Sequence, residues 1–146
     1  MFKKIFLITL FILLSSGCQE KKQVFETGYV YFNDEQFKVQ LAVTTAQRNQ
    51  GLSGQAGFDV GVVGMLFTFP SADERSFWMK EMLFPIDVIW LNQGRVIGMA
   101  QNVPILDKMG EITRFGSNGP ADAVLELKEG FIAQKGVKIG DRFELD

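Results

Sequence analysis

Alternation of apolar and polar residues predicts most of the strands in this chain. In residues 37–43 every second residue is large and apolar, which is the period of a half-buried strand. Residues 29–32 and the Asn33-Asp34 turn complete a hairpin with it. Further strands are predicted over residues 63–69, 76–79, 86–91, 95–103, 121–127 and 142–145. Pro70 is expected to end the first of these because proline has no N–H to donate. Residues 71–75 are then predicted as a polar turn, and Asn92-Gln93-Gly94 as a hairpin turn.

Helical signals are few and short. Thr44 or Thr45 can cap a helix over residues 46–50 that Gly51 ends, and residues 130–136 hold one helical turn. Residues 104–119 form a long irregular segment, and loops of that length in a compact domain are often functional. Seven to nine short strands with one or two short helical segments predict a mainly β domain, either a single β-sandwich or a closed barrel.

The first 17 residues have the pattern of a signal peptide. Lys3 and Lys4 precede a ten-residue stretch that is apolar except for Thr9 and is too short to span a bilayer. Ser15, Ser16 and Gly17 then lead into Cys18, the single cysteine of the chain. This arrangement is similar to a bacterial lipobox, although an ordinary secretory signal with a leftover thiol is the alternative. We therefore expect a lipoprotein signal peptide over residues 1–17, a tether over 18–27 and a β domain over 28–146.

These features predict an exported protein that is anchored in a membrane through acyl chains on Cys18. Two or more acyl chains give stable anchoring. Gln19 after the cysteine favours the outer membrane, facing the periplasm, in a Gram-negative source; in a Gram-positive source the outer face of the cell membrane is expected. Removing Lys3 and Lys4 with the signal changes the net charge from -2 to -4. An acidic chain without a basic cluster argues against a nucleic-acid partner.

Several short motifs follow one another along the chain. They are Arg48-Asn-Gln-Gly51-Leu52, Gly64-Met65-Leu66-Phe67, Phe77-Trp78-Met79-Lys80, Pro85-Ile86-Asp87, Ser117 with Pro120-Ala121, Val124-Leu125-Glu126-Leu127 and Gly140-Asp141. In this order they resemble the DUF192 family, also called UPF0127, over residues 37–143. The resemblance implies a β-rich, sandwich-like domain that is often exported and often lipidated, and it brings no established activity.

The charged residues inside apolar segments are the first candidates for a site. Asp87 lies on a strand whose two faces are otherwise apolar, so its carboxylate needs a partner. Lys80 is the expected cation, with Arg48 and Glu126 as further members of the set. Such a set could perform acid-base chemistry or bind a polar ligand. A structural ion-pair network that pins loops to the barrel is the favoured interpretation.

Aromatic and hydroxyl side chains give two more candidates. Trp78, with Phe77 and Trp90, could form a platform for a sugar or another planar ligand, although aromatic residues on strands are more often core. Ser117 could be a nucleophile only with Lys80 as its base, because the chain has no histidine. A role in a turn is the better explanation for Ser117.

The absence of histidine also excludes His-based metal sites, and we expect no metal and no cofactor. A lipid-anchored envelope protein that binds a small ligand or an envelope protein without catalysis is therefore the leading hypothesis. A hydrolase or lyase using Lys80 and the carboxylates is the alternative. The third is Cu(I) handling by thioether ligands, for which the candidates are Met65, Met79, Met82 and Met99. If Lys80, Asp87 and Glu126 line an open cleft, catalysis or ligand binding is favoured; if they are sealed under the tryptophan side chains, a structural role is favoured.

Overall fold

The computed structural model describes residues 23–145, so the predicted signal peptide and Cys18 lie outside the described residues. In the described part, no helix is long and apolar enough to cross a membrane. The elements are β1 (Glu26–Phe32), β2 (Glu35–Ala42), α1 (Thr45–Gln50), β3 (Val62–Asp73), β4 (Ser76–Trp78), β5 (Ile86–Asn92), β6 (Arg95–Val103), β7 (Arg114–Gly116), β8 (Ala121–Lys128), α2 (Phe131–Lys135) and β9 (Glu144–Leu145).

Seven strands form one curled sheet in the order β6-β5-β8-β3-β2-β1-β9, and β4 pairs with β7 in a second, small sheet. All neighbours in the large sheet are antiparallel except β2 and β3, which are parallel. A parallel pair needs a crossover connection, and α1 with the loop after it supplies this one. The prediction of a mainly β domain with two short helical segments is confirmed.

Tight turns join the strands of two hairpins, β1 to β2 and β5 to β6. Asn33 and Asp34 have φ values of 50° and 62°, and Gln93 and Gly94 have 50° and 74°. Two successive positive φ values are typical of the two-residue turns whose twist matches that of paired strands. The turns predicted at Asn33-Asp34 and at Gly94 are therefore confirmed.

The two ends of the large sheet are joined where the chain passes Gly94. Arg95, at the start of β6, bridges Arg142, which lies just before β9. The Phe143 amide donates a hydrogen bond to the Gly94 carbonyl at 2.8 Å. A Cβ atom on Gly94 would lie 2.6 Å from the Phe143 carbonyl oxygen, so only glycine permits this contact. The curled sheet is thereby barrel-like.

Two hydrophobic cores lie on opposite faces of the sheet. The barrel core draws buried side chains from all six long strands and is closed by α2 and the segment after it; it contains Val30, Phe32, Phe37, Val39, Leu66, Ile89, Leu91, Val96, Ala123, Leu125, Leu127, Phe131, Ile132, Val137 and Phe143. The outer core comprises Ala42, Leu52, Met65, Phe67, Met79, Met82, Ile86, Val88, Trp90, Val103, Ala121 and Val124. Because β5 and β8 contribute to both cores, their residues are buried on both faces.

Two parts of the chain cover the outer core. One is the segment around α1, and the other is the small β4–β7 sheet; we call this small sheet the arm. Phe77 of the arm packs edge-on against Phe67 at 5.5 Å and stacks on Phe115 at 5.9 Å between ring centroids. In the sheet itself, β3 lies close to β8 at Gly64, because a Cβ atom on this residue would lie 2.3 Å from the Glu126 carbonyl oxygen. The arm and α1 thus stand over the same part of the sheet.

Two predicted boundaries differ from the structure. The strand expected to stop at Pro70 continues to Asp73, with a register shift against β8 between Thr68 and Asp73. Pro70 is exposed and falls within this irregularity, where a missing N–H does not break the ladder. Ser71 to Asp73, predicted as part of a turn, therefore belong to β3. The long irregular segment contains one short strand, β7, which pairs with β4.

Candidate functional site

A cleft of about 690 Å³ lies between α1 and the arm, above the outer core. Its size is within the range that small-molecule sites occupy in proteins. Three arginines, four aromatic rings and one buried carboxyl group dominate its lining. The lining residues are Arg48, Asn49, Gln50, Gly51, Leu52, Ser53, Phe67, Phe69, Glu74, Arg75, Ser76, Phe77, Trp78, Met79, Met82, Arg114 and Glu126.

Arg48 enters the cleft from the last turn of α1. The Thr44 hydroxyl accepts a hydrogen bond from the Gln47 amide, and the Gln47 side chain accepts one from the Thr44 amide, so a capping box fixes the helix start. Arg48 Nη1 donates to the Val43 carbonyl at 2.6 Å and to the Thr68 carbonyl at 3.0 Å. These neutral acceptors orient the guanidinium group and leave its charge uncompensated.

Arg75, between β3 and β4, is held in a similar way. Its backbone N–H donates to the Ser117 hydroxyl at 2.8 Å, and the Ser117 N–H donates to the Arg75 carbonyl at 2.8 Å. Arg75 Nε donates to the Ala121 carbonyl at 3.1 Å. Its guanidinium carbon lies 3.9 Å from the Phe69 ring centroid, and that of Arg48 lies 5.3 Å from the same centroid. The Phe69 ring therefore makes cation–π contacts with both arginines.

Arg114 and Trp78 face each other across the β4–β7 pair of the arm. They are register partners, and the guanidinium carbon of Arg114 lies 5.1 Å from the indole centroid. Lys80 Nζ lies 5.6 Å from the same indole. Trp78 is 49% exposed, so its ring is open to a ligand as well as to these cations.

The guanidinium groups of the cleft make no ion pair with a carboxylate in the described part of the chain. The ion pairs found there join Lys80 to Glu81 at 3.8 Å and Lys135 to Glu35. Arg48, Arg75 and Arg114 are in neither of them. Arginine's planar fork of donors suits carboxylate and phosphate groups. The cleft lining therefore carries three arginines against one exposed carboxylate, that of Glu74, and the buried Glu126.

Glu126 also lines this cleft, on the strand β8 beneath it. It is 6% exposed, and within residues 23–145 its side chain makes no hydrogen bond or ion pair. Its register partners on the two neighbouring strands are Met65 and Val88, both apolar. Burial raises the pKa of the Glu126 carboxyl to about 8, because the charged form loses its hydration. At neutral pH this carboxyl group is mostly protonated.

Asp87 lies on the opposite face of the sheet, and its surroundings correct our prediction for it. It is fully buried, and its two oxygens accept hydrogen bonds from the Asn102 amide at 2.8 Å and the Ile132 amide at 2.9 Å. Gly130, the N-cap of α2, has no side chain to offer, so Asp87 caps this helix from β5. The expected pairing of Asp87 with Lys80 is wrong, because backbone N–H groups satisfy the carboxylate.

The structure divides the predicted site residues into two groups. Arg48, Trp78 and Glu126 line the cleft, whereas Lys80, Asp87 and Ser117 are outside its lining. The Lys80 side chain is 52% exposed beside Glu81. The proposed aromatic platform is also divided, since Trp78 is exposed and Trp90 is 4% exposed in the outer core.

The methionines proposed as copper ligands lie in two different cores. Met65, Met79 and Met82 belong to the outer core, while Met99 packs against the barrel core. Three of the four methionines, the minimum for the proposed copper site, therefore share one core, and Met99 lies apart from them.

Sequence reasoning missed two of the three cleft arginines. Arg75 fell within a predicted polar turn, and Arg114 within the irregular segment of residues 104–119. The length of that segment was the available signal, since long loops in compact domains often carry function. The pairing of β4 with β7 places both arginines at one site, and short strands of three residues leave almost no periodicity to detect.

Comparison with known proteins places this architecture in a family. The DUF192 family, described as "Uncharacterized ACR", matches residues 29–145. A crystal structure of a "putative transcription regulator" from Sinorhizobium meliloti 1021 is similar with a TM-score of 0.73 and 27% identity, covering 85% of this chain and 97% of that one. A protein of unknown function from Novosphingobium aromaticivorans DSM 12444 is similar with a TM-score of 0.67 and 28% identity, covering 82% and 84%. No curated protein matches the chain at a significant level. The chain therefore belongs to the DUF192 family.

Proposed function

We propose that this protein binds a small organic anion in the cleft between α1 and the arm, without catalysis. The observation that carries the proposal is the set of three arginines that line the cleft and have no carboxylate partner in residues 23–145. Backbone carbonyls and aromatic rings hold these guanidinium groups in place, so little side-chain order has to be created when a ligand binds.

The aromatic rings of the cleft define a second property of the ligand. Phe69, Phe77 and Trp78 line the same cavity as the arginines. Rings of this kind stack on planar or apolar surfaces, and the exposed face of Trp78 suits a sugar or an aromatic ring. The ligand class we propose is therefore a carboxylate or phosphate attached to a ring.

We further propose that the domain is a lipoprotein of the cell envelope, anchored through Cys18. The start of the described chain is hydrogen-bonded to α1. The Gln23 amide donates to Gln50 Oε1 at 2.8 Å, and Gln47 Nε2 donates to the Val24 carbonyl at 2.8 Å. The tether is thus joined to α1, the helix whose last residues line the cleft. Mass spectrometry of the membrane fraction tests the acylation of Cys18 directly.

Two other functions have less support. A hydrolase or lyase based on Lys80 and carboxylates needs these groups together, whereas Lys80 and Asp87 lie outside the cleft lining. The regulator description of the Sinorhizobium meliloti protein does not transfer readily, because this chain carries a net charge of -2 and an apparent export signal. An envelope protein as the partner stays open as an alternative occupant of the same surface.

The test measures binding of phenyl phosphate and benzoate by calorimetry, with benzyl alcohol as the uncharged control. Arg114→Gln is the informative variant, because Arg114 contacts Trp78 without holding a backbone carbonyl. Losing one charge-assisted hydrogen bond weakens phenyl phosphate binding by about tenfold or more. Arg142→Gln removes the same charge from an exposed position outside the cleft and serves as the matched control.

Equal weakening in R114Q and R142Q would show a general charge effect instead of a site. If benzyl alcohol binds as strongly as benzoate, the proposal that the ligand is an anion is contradicted. Failure of phenyl phosphate and benzoate to bind the folded wild-type protein contradicts the proposal as a whole.

A further inference from the structure

Glu126 is the polar group of the cleft that nothing in the described chain satisfies. Its side chain is 94% removed from solvent and lines the cavity, with no hydrogen-bond or ion-pair partner in residues 23–145. Buried polar side chains are nearly always hydrogen-bonded, and exceptions call for an explanation. A bound ligand would supply the missing partner.

The groups around Glu126 determine whether its carboxyl group is protonated or ionised when a ligand binds. Apolar side chains, Met65 and Val88, stand beside it on β3 and β5. The charged groups that share the cleft are Arg48 from α1, Arg75 and Glu74 from the β3–β4 connection, and Arg114 from β7. Burial disfavours the carboxylate, so the pKa is raised and the neutral acid prevails at pH 7. A neutral carboxylic acid can donate a hydrogen bond.

We infer that Glu126, at the floor of the cleft, donates a hydrogen bond from its carboxyl group to an uncharged acceptor on the bound anion. This inference rests on the anion-binding function proposed above and narrows its ligand class. The ligand carries a carboxylate or phosphate at one end, a ring in the middle and a carbonyl or hydroxyl oxygen at the other end. Acylated aromatic acids and sugar acids have this arrangement.

A ligand with an ammonium group is the competing interpretation, and it predicts the opposite pH dependence. An ammonium group pairs with the ionised carboxylate, so its binding strengthens as pH rises through the titration of Glu126. An uncharged acceptor binds only the protonated acid, so its binding weakens over the same range. Because arginine stays charged throughout, the slope of affinity against pH distinguishes the two.

The experiment uses two probes of the same shape, para-acetylbenzoate and para-isopropylbenzoate, with the intact protein. The acetyl carbonyl is an acceptor and the isopropyl group is not. At about pH 6.5 the wild-type protein should bind the acetyl probe about fivefold more tightly, the value of one neutral hydrogen bond. At about pH 9.5 this preference should disappear, so the dissociation constant of the acetyl probe should rise about fivefold relative to that of the isopropyl probe, because Glu126 is then mostly ionised and cannot donate.

Two variants distinguish the effect of the hydrogen-bond donor at position 126 from the effect of its charge. Glu126→Gln keeps a donor that does not titrate, so it should retain the preference for the acetyl probe and lose the pH dependence. Glu126→Leu has no donor, so it should bind both probes equally. Circular dichroism confirms the fold of each variant before binding is compared.

The outcomes are distinct. Equal binding of both probes by the wild-type protein, or a pH dependence that Glu126→Gln leaves unchanged, overturns the inference while the anion site stands. Stronger binding of para-aminomethylbenzoate at high pH in place of the acetyl probe establishes the ammonium ligand and likewise overturns it. If neither benzoate binds, the inference and the proposed function both fail.

Discussion

Two carboxyl groups are buried in neighbouring strands of this domain, and the structure treats them differently. Asp87 on β5 receives two backbone N–H groups in the barrel core. Glu126 on β8 receives none in the part of the chain that the structure describes, and it lies at the cleft. Burial alone therefore does not distinguish the two carboxyl groups. They differ in whether backbone N–H groups donate hydrogen bonds to them.

The two faces of the sheet explain this difference. The barrel-core face places the start of α2 and the irregular end of β6 against Asp87, and both have backbone N–H groups that need an acceptor. The outer face surrounds Glu126 with methionine, valine and phenylalanine side chains, which offer nothing to a carboxyl group. Asp87 thus completes the scaffold, whereas Glu126 is the carboxyl group for which we propose a ligand.

The largest expected effect is that of Asp87→Ala on stability. The substitution leaves the Asn102 and Ile132 amides buried without an acceptor, at a cost of about 1–3 kcal/mol for each. We expect the free energy of unfolding in urea to fall by roughly 3–5 kcal/mol. Asp59→Ala, at an exposed loop position, should change it by less than about 0.5 kcal/mol.

Asp87→Asn sharpens this prediction, because the amide has one oxygen that can accept and an NH₂ group that cannot. An intermediate loss is expected from it. If Asp87→Ala costs no more than Asp59→Ala, the two amides find other partners and Asp87 is not a scaffold residue.

Glu126→Gln should act on the pH dependence of stability. The pKa of Glu126 rises from 4.5 to about 8 on folding, so the native state binds the proton more tightly than the unfolded chain. The contribution of Glu126 to stability is therefore largest below about pH 4.5 and falls by up to about 1.4 kcal/mol per pH unit as pH rises to 8. Glutamine does not titrate, so this loss disappears in the variant.

Urea unfolding at several pH values measures this effect. The variant and the wild-type protein should be similarly stable near pH 4.5, and the variant should be more stable by roughly 2–5 kcal/mol at pH 8. Parallel pH profiles for the two proteins would contradict the burial of a protonated Glu126.

Ser117→Ala should produce a smaller effect that links scaffold and cleft. Its hydroxyl accepts the Arg75 amide at 2.8 Å, and losing this bond costs about 1 kcal/mol. Because the same bond positions Arg75, phenyl phosphate binding should also weaken a few-fold. Ser117→Thr keeps the hydroxyl group and should preserve both properties. Weakened binding in the threonine variant as well would show that the hydroxyl group is not what positions Arg75.

Much of the fold could be predicted from the sequence, because its signals are local. The alternation in residues 37–43, the Asn33-Asp34 turn and the Thr44 cap each act over a few residues, and all three are found in the structure. The continuation of β3 through Pro70 was missed, since a bulge is set by the partner strand and not by the proline itself.

The site was only partly predictable, because its contacts are between distant residues. Arg48 and Glu126, two of the predicted candidates, do line the cleft, but the partners of Asp87 are backbone groups 15 and 45 residues away, which no side-chain pattern reveals. Arg75 and Arg114 come together only through the pairing of β4 with β7. Short separation in sequence favoured Lys80 as the partner of Asp87, and the strand direction carries the two side chains apart.

Lys80→Gln has the smallest expected effect and tests the discarded pairing most directly. Lys80 makes one exposed ion pair with Glu81 at 3.8 Å, and pairs of this kind contribute about 0–1 kcal/mol. The backbone carbonyl of Lys80, which accepts a hydrogen bond from Ser53 Oγ, is unaffected by the change. The double variant Lys80→Gln/Asp87→Ala should lose the sum of the two single effects within about 0.5 kcal/mol, as distant sites do. A coupling energy of 1 kcal/mol or more would restore the Lys80–Asp87 pair and make Asp87, like Glu126, a residue of the charged site.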